Sequence, residues 1–400
     1  MKMKMFKRLL AAALSLTLLI AASFPLTALA AQSIEPLNSK KVKLHCVVWG
    51  DPQVSHYLKE REPYVISSTN DVKNNAKSDI DALVLAGDIT ENCINDEWNW
   101  VYDDICEMGV KNYINATGNH DVRVHDYKIA VDSFTSFTNR LNRKANSKLR
   151  VNKVYYSYTV NGYKFIILGS EAATLEEAEI SAKQLKWLDS ELKDAYKKNH
   201  PAFVILHQPL KDTHGLPDTW GSSIKTAGSV GPQSDKIKEI LNKYENTVLI
   251  TGHLHTGLGK YNYQKIGNIH SVNVPSVAID NQDGRCNDNG LGYMMEVYDN
   301  EVIFRARNFD KGKYLPEYDI HINLYIKNAK LLKKVYKYDG KVKTPKIKVV
   351  DVYGNTVSKK YYTVIYPKGR KKAGRYKVKI KFKGKYKKAK TIIRTFRIKK

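Results

Sequence analysis

Gly118-Asn119-His120-Asp121 is the stretch on which the reading of the fold turns. It sets an amide, an imidazole and a carboxylate directly behind a glycine, and residues 110–117 before it read as a strand. Polar side chains on the turn that leaves a strand are held still by the sheet beneath them, which suits functional groups. Four other apolar runs end the same way. Residues 44–50 lead into Asp51, with Pro52 and Gln53 in the turn. Residues 82–87 lead into Asp88, residues 202–206 into His207, and residues 247–252 into His253-Leu254-His255.

Working outward, the run at 82–87 is continuously apolar, as a parallel strand buried on both faces must be. Helical patterns lie between the strands. Residues 67–78 are polar and helix-like, and Trp98, Val101, Ile105 and Met108 share one stripe before Gly109. Trp98 and Trp100 therefore read as packing rather than as the lining of a cleft. A helix is expected over about 177–198, with Leu185, Leu188, Leu192 and Tyr196 on its apolar side, and a short one over 234–244. Asn161-Gly162 between 154–160 and 163–169 signals a type I′ hairpin. A second hairpin turns over Asp299-Asn300. Strands alternate with helices early and hairpins gather late, which predicts an α/β domain with a mixed sheet.

Ligands of open α/β sheets sit beyond the carboxyl ends of the strands. Oxygen and imidazole donors without thiolate suit Mn, Fe, Zn or Mg rather than a structural zinc. A carboxylate shared by two cations fits a pair held about 3.5–4 Å apart, and such a pair suits phosphoryl transfer. His45, His56, His125, His200 and His270 fall outside the pattern and read as structural. His214, in the long polar loop 208–233, is a candidate substrate contact. There is no G-x-S-x-G elbow and no P-loop.

The ordered blocks resemble the calcineurin-like metallophosphoesterases, whose pattern is D-x-H, G-D, G-N-H-[DE], H and G-H-x-H; the similarity covers about residues 42–307. The resemblance implies a double β-sheet sandwich flanked by helices, and two metal ions. It implies one ion at Asp51, Gln53, Asp88 and His255, and the other at Asp88, Asn119, His207 and His253, with Asp88 bridging. His120 takes the role of catalytic imidazole, and Asp121 that of accepting from its other nitrogen. Gln53 stands where the family usually has histidine; a weaker first site is expected, biased toward Mn or Fe, with Zn the other candidate. Glu91 stands where purple acid phosphatases carry a tyrosine ligand, which speaks against that subgroup. The implied reaction is hydrolysis of phosphate mono- or diesters by in-line attack of a metal-bound hydroxide. The competing expectation is a fold with weakened turnover, serving as a surface binding or adhesion protein through its tail.

The ends of the chain carry different information. Lys2, Lys4, Lys7 and Arg8 precede an apolar run, and Ala28-Leu29-Ala30 offers a small-x-small site, so residues 1–30 read as a secretory signal peptide. A secreted protein is expected, with no later run apolar enough to span a bilayer. Residues 31–310 form the main domain, 311–328 a linker, and 329–400 an all-β module with Gly-centred turns. That module resembles a bacterial Ig-like surface repeat with a Tyr338-Asp339-Gly340 start. Residues 326–400 hold 28 Lys and Arg against 2 Asp, so the whole-chain net charge of +26 resides in the tail and the main domain is slightly acidic. A nucleic-acid enzyme would carry its positive charge around the cleft. The tail fits an anionic envelope polymer better.

Overall fold

A computed structural model describes residues 31–400 except 125, 198–199, 216–227, 300, 324–325, 352–355, 388 and 390. The leader 1–30, His125, the centre of the 208–233 loop and Asn300 of the second hairpin thus lie outside the described residues.

Two sheets face each other. In the first, β1 (Leu44–Trp49) pairs in parallel with β2 (Ala82–Leu85), and β2 with β3 (Tyr113–Asn115). On its other edge β1 pairs antiparallel with β10 (Leu291–Tyr298), which continues into β11 (Glu301–Asn308). The second sheet has the order β4-β5-β6-β7-β9-β8. Here β5 (Tyr163–Ile167), β6 (Ala202–Ile205), β7 (Thr247–Thr251) and β9 (Ile269–Asn273) run parallel, and β4 (Tyr156–Val160) and β8 (Tyr263–Ile266) close the edges antiparallel. The β4–β5 turn has positive φ at both Asn161 and Gly162, as the type I′ reading requires.

Strand pleating decides which side chains meet. Phe203 and Ile205 of β6 join the large core between the sheets with Val47, Val84 and Ile114, while Ala202, Val204 and Leu206 face a second core. Helices α5 (Ala182–Lys197) and α6 (Ser234–Asn242) cover that second core through Leu188, Leu192, Ile237 and Leu241. The first sheet is covered by α1 (Glu62–Asn75), α2 (Asn95–Ile105) and α4 (Tyr127–Lys144); the helical turn α3 (Asn119–Val122) precedes α4. Trp98 is buried against Phe137 at 5.1 Å between ring centres, so the Trp98 stripe is packing. The first helix begins earlier than the polar stretch 67–78 suggested, because Pro63 sits in its first turn and Val65 extends its apolar side.

Within the segment expected as a linker, 311–328, residues 313–323 instead join the first sheet. β12 (Lys313–Tyr314) and β13 (Ile320–Asn323) both pair with β11, and Ile320 and Ile322 alternate inward. Beyond it β14 (Ile326–Leu331) pairs with β16 (Ile347–Asp351). A four-stranded sheet of order β15-β19-β18-β17 follows, from β15 (Val335–Lys337), β17 (Tyr362–Ile365), β18 (Gly374–Phe382) and β19 (Ile392–Lys399). Val378, Ile380, Phe396 and Ile398 point into its small cores, while Arg375, Lys377, Lys379 and Lys381 stand exposed on the opposite face.

Candidate metal centre

The strand ends bring the predicted residues together. Asp51, Asp88 and Asn119 follow β1, β2 and β3 of the first sheet; His207, His253 and His255 follow β6 and β7 of the second. Asp51 and His207 are fully buried, and Asp88, Asn119, Gln53 and His253 nearly so. Five of these residues leave the usual backbone regions: φ runs from 38° at Gln53 to 72° at His253, with Asp51, Asp88 and His255 between. Each such residue costs about 1–3 kcal/mol and persists only where its surroundings over-determine it. Here Gln53 N donates to Asp88 O at 2.9 Å and Ser276 Oγ to Asp51 O at 2.8 Å. Gly118 is needed for closeness: a Cβ there would lie 2.0 Å from Asp88 Oδ1.

Ligand atoms of Asp88, His207 and His253 all lie within 4.8 Å of one another, and so do those of Asp51, Asp88 and His255. Asp88 belongs to both groups. His207 Nε2 is 3.1 Å from Asp88 Oδ2, and His255 Nε2 is 3.3 Å from Asp51 Oδ1. His207 Nδ1 donates to Ala86 O at 2.8 Å, which turns Nε2 toward the cluster. Among the described residues, four buried atoms of the set face no hydrogen-bond donor: Gln53 Oε1, Asn119 Oδ1, His207 Nε2 and His255 Nε2. Leaving such atoms unpaired costs about 1–3 kcal/mol each. All four are lone-pair donors, so a pair of cations fits where a hydrogen-bond donor is missing.

The electrostatics agree. Burial alone would lower the pKa of His207, but the carboxylates of Asp88 and Asp51 overcome it and raise it to about 9. Burial pushes Asp88 up, and His207 more than reverses that, holding the carboxyl below its ordinary range. The cluster thus calls for positive charge, which cations supply with every ligand deprotonated.

Around this set lies a layer that spacing did not announce. Gln53 Nε2 donates to Glu91 Oε2 at 2.8 Å, and Asn119 Nδ2 to Glu176 Oε2 at 3.3 Å. His120 Nδ1 faces Glu91 O at 2.9 Å and Glu91 Oε1 at 3.1 Å, while its Nε2 lies 3.0 Å from Gln53 Nε2. Arg123 Nη2 approaches the same Nδ1 at 2.6 Å, but a guanidinium only donates. The tautomer with its proton on Nδ1 satisfies both Glu91 acceptors and the Gln53 amide. Burial lowers the His120 pKa, and Glu91 and Asp88 outweigh it and raise it. Burial raises Glu91, and His120 and Arg61 bring it down to about 2.

Two sequence expectations need correction. Asp121 does not accept from His120. Its carboxylate takes the backbone N–H groups of Ile89, Thr90 and Gly118 and the Thr90 hydroxyl, tying the turn after β2 to the start of α3. His214 is no substrate contact: it is buried, with Nδ1 2.6 Å from Tyr261 O and Nε2 2.7 Å from Ser271 Oγ. Glu91 carried one hint, its place three residues after Asp88; Arg61, Arg123 and Glu176 carried none.

The family model described as Calcineurin-like phosphoesterase matches residues 48–257. Among curated proteins the chain is similar to the Probable purple acid phosphatase 20 of Arabidopsis thaliana, 22% identical over 264 residues, 64% of this chain and 57% of that protein. It is also similar to a 3′,5′-cyclic-nucleotide phosphodiesterase of Nostoc sp., 23% identical over 201 residues, 50% of this chain and 64% of that one. The chain thus spans less than two thirds of the length of these relatives. Among solved structures it is similar to a dimetal phosphatase from Danio rerio, with TM-score 0.48 and 14% identity, covering 70% of this chain and 99% of that one.

Proposed function

The chain belongs to the calcineurin-like phosphoesterase family and is a hydrolase of phosphoester bonds, and from that premise we propose an exported enzyme that cleaves phosphate mono- or diesters at a two-cation centre. The observation that carries this is the quartet of unpaired buried atoms, Gln53 Oε1, Asn119 Oδ1, His207 Nε2 and His255 Nε2, around the shared carboxylate of Asp88. Asp51, Gln53, Asp88 and His255 would hold one ion, and Asp88, Asn119, His207 and His253 the other. Bound there, the ions supply Lewis acidity toward the phosphoryl oxygens and a nucleophile near neutral pH. The hard amide oxygens of Gln53 and Asn119 favour Mn or Fe over Zn.

The protein's own groups do the rest. His120 stands beside the cluster, its backbone N–H donating to Asp88 Oδ1 at 2.9 Å and its side chain 14% exposed. Glu91 engages Nδ1, so Nε2, which accepts from the Gln53 amide in the neutral ring, is the nitrogen that a second proton would occupy and from which it would pass to the departing oxygen. Asp121 contributes by closing the turn that carries His120. The reading of weakened turnover rested on Gln53 alone, and Gln53 Oε1 is buried and unpaired like Asn119 Oδ1, His207 Nε2 and His255 Nε2. For the tail, the alternating strands of residues 329–400 support an Ig-like spacer whose cationic face rests on an anionic envelope polymer.

Hydrolysis of chromogenic phosphate mono- and diesters, measured before and after chelation, tests the proposal. Activity should vanish in chelator and return with Mn or Fe. Undiminished turnover in chelator would overturn it.

A further inference from the structure

An imidazole offers a nitrogen whichever way its ring is turned, but an amide offers oxygen at one end only. Gln53 therefore needs something to choose its orientation before it can ligate a cation. Two groups face its Nε2, the His120 imidazole at 3.0 Å and the Glu91 carboxylate, and only the ionised carboxylate is an acceptor in every state. Glu91 Oε2 accepts from Gln53 Nε2 at 2.8 Å, and the opposite end, Oε1, is left buried and unpaired. Turning the amide over would set Oε1 against a carboxylate oxygen at that distance with no proton between them.

Glu91 is itself held. Arg61 Nη1 donates to Glu91 Oε2 and also to Gln53 O, at 3.1 Å, so one guanidinium clamps the carboxylate and the Gln53 backbone together. Arg123 Nη2 lies 3.3 Å from Glu91 Oε1. The Glu91 side chain is 17% exposed, and both its oxygens are occupied. Asn119 follows the same logic with Glu176, through a longer bond of 3.3 Å.

We propose that Glu91 is a positioning residue for metal binding: it aims the Gln53 carbonyl, so that the Gln53–Glu91 pair does in this chain what a single imidazole would do without help. The inference rests on the two-cation reading above.

The test is Mn²⁺ binding by the full chain, followed by titration calorimetry and by metal content after dialysis. The proteins are wild type, Glu91→Ala, Glu91→Gln, Gln53→His, and Gln53→His with Glu91→Ala. Wild type should hold two ions. Glu91→Ala should weaken one of them about 10–100-fold, as loss of a partner behind a ligand does, and leave the other unchanged. Glu91→Gln keeps an acceptor for the Gln53 amide and should fall between; it carries the test if the alanine variant melts too early to titrate. Gln53→His in the Glu91→Ala background should restore the weakened ion, which no general loss of structure would allow. Two ions at unchanged affinity in Glu91→Ala, or no rescue by Gln53→His, would overturn the pair alone. Fewer than two ions on wild type would sink the two-cation reading as well.

Discussion

His120 shows how far a single residue could be read in advance. Its position behind Gly118 marked it as reactive, and its surroundings support that; its helper was misassigned. The carboxylate next to it in sequence, Asp121, sits in the same helical turn, and adjacent helical residues point apart. The group that reaches Nδ1 is Glu91, delivered by a neighbouring strand end. Proximity of that kind comes from two loops lying side by side, and no spacing along the chain encodes it. The candidate ligands were legible because they follow the ends of five strands. The expected consequence is specific. His120→Ala should lower kcat by about 10²–10⁴-fold, the usual worth of general acid catalysis, while metal content stays at the wild-type level. The loss should be steep for alkyl phosphates and shallow for nitrophenyl ones, whose leaving oxygens need no proton. A uniform loss across leaving groups would remove His120 from that role.

At the scale of elements, long periodic stretches were readable and short ones were not. The β4–β5 hairpin announced itself through Asn161-Gly162. β13 did not, because two inward isoleucines make too brief an alternation to separate from a connecting segment. The elements also carry an acid sensitivity. His214 sits before the second sheet's outer strands and His270 within β9; burial, aided at His270 by the Lys265 ammonium, lowers them to about 4 and about 3. Both lie below the unfolded value of about 6.5, so the unfolded chain binds more protons through the interval between. Their contribution is complete above pH 6.5 and is lost as the pH falls toward 4 and 3. At pH 5 each should cost about 2 kcal/mol. Urea unfolding at pH 7 and pH 5 measures it. His214→Gln keeps a hydrogen-bonding side chain without the titration and should reduce the difference by about 2 kcal/mol. An identical pH dependence in the variant would show that His214 does not titrate as described.

For the whole molecule, the uneven charge was the clearest message of the composition, and the strand pattern shows where part of it stands: Arg375, Lys377, Lys379 and Lys381 line the face of β18 opposite the small cores. Exposed charge acts through solvent and is screened by salt. The full chain should be retained on a phosphate-bearing cation exchanger at low ionic strength and released as salt approaches about 1 M, where the screening length shrinks to about 3 Å. Replacing Lys377, Lys379 and Lys381 with glutamine should move elution to lower salt; salt-insensitive retention would point to a shaped pocket instead. A last consequence follows from where the strand ends lie. Four of the seven candidate ligand residues grow from one sheet and three from the other, so any cation lodged among them rivets the two halves of the sandwich across their seam. An ion at a hundred times its dissociation constant would add about 2.7 kcal/mol against thermal separation of those halves. Starvation for metal would then loosen the scaffold as well as silence it, and the resting protein would report the mineral content of its surroundings through its own melting point.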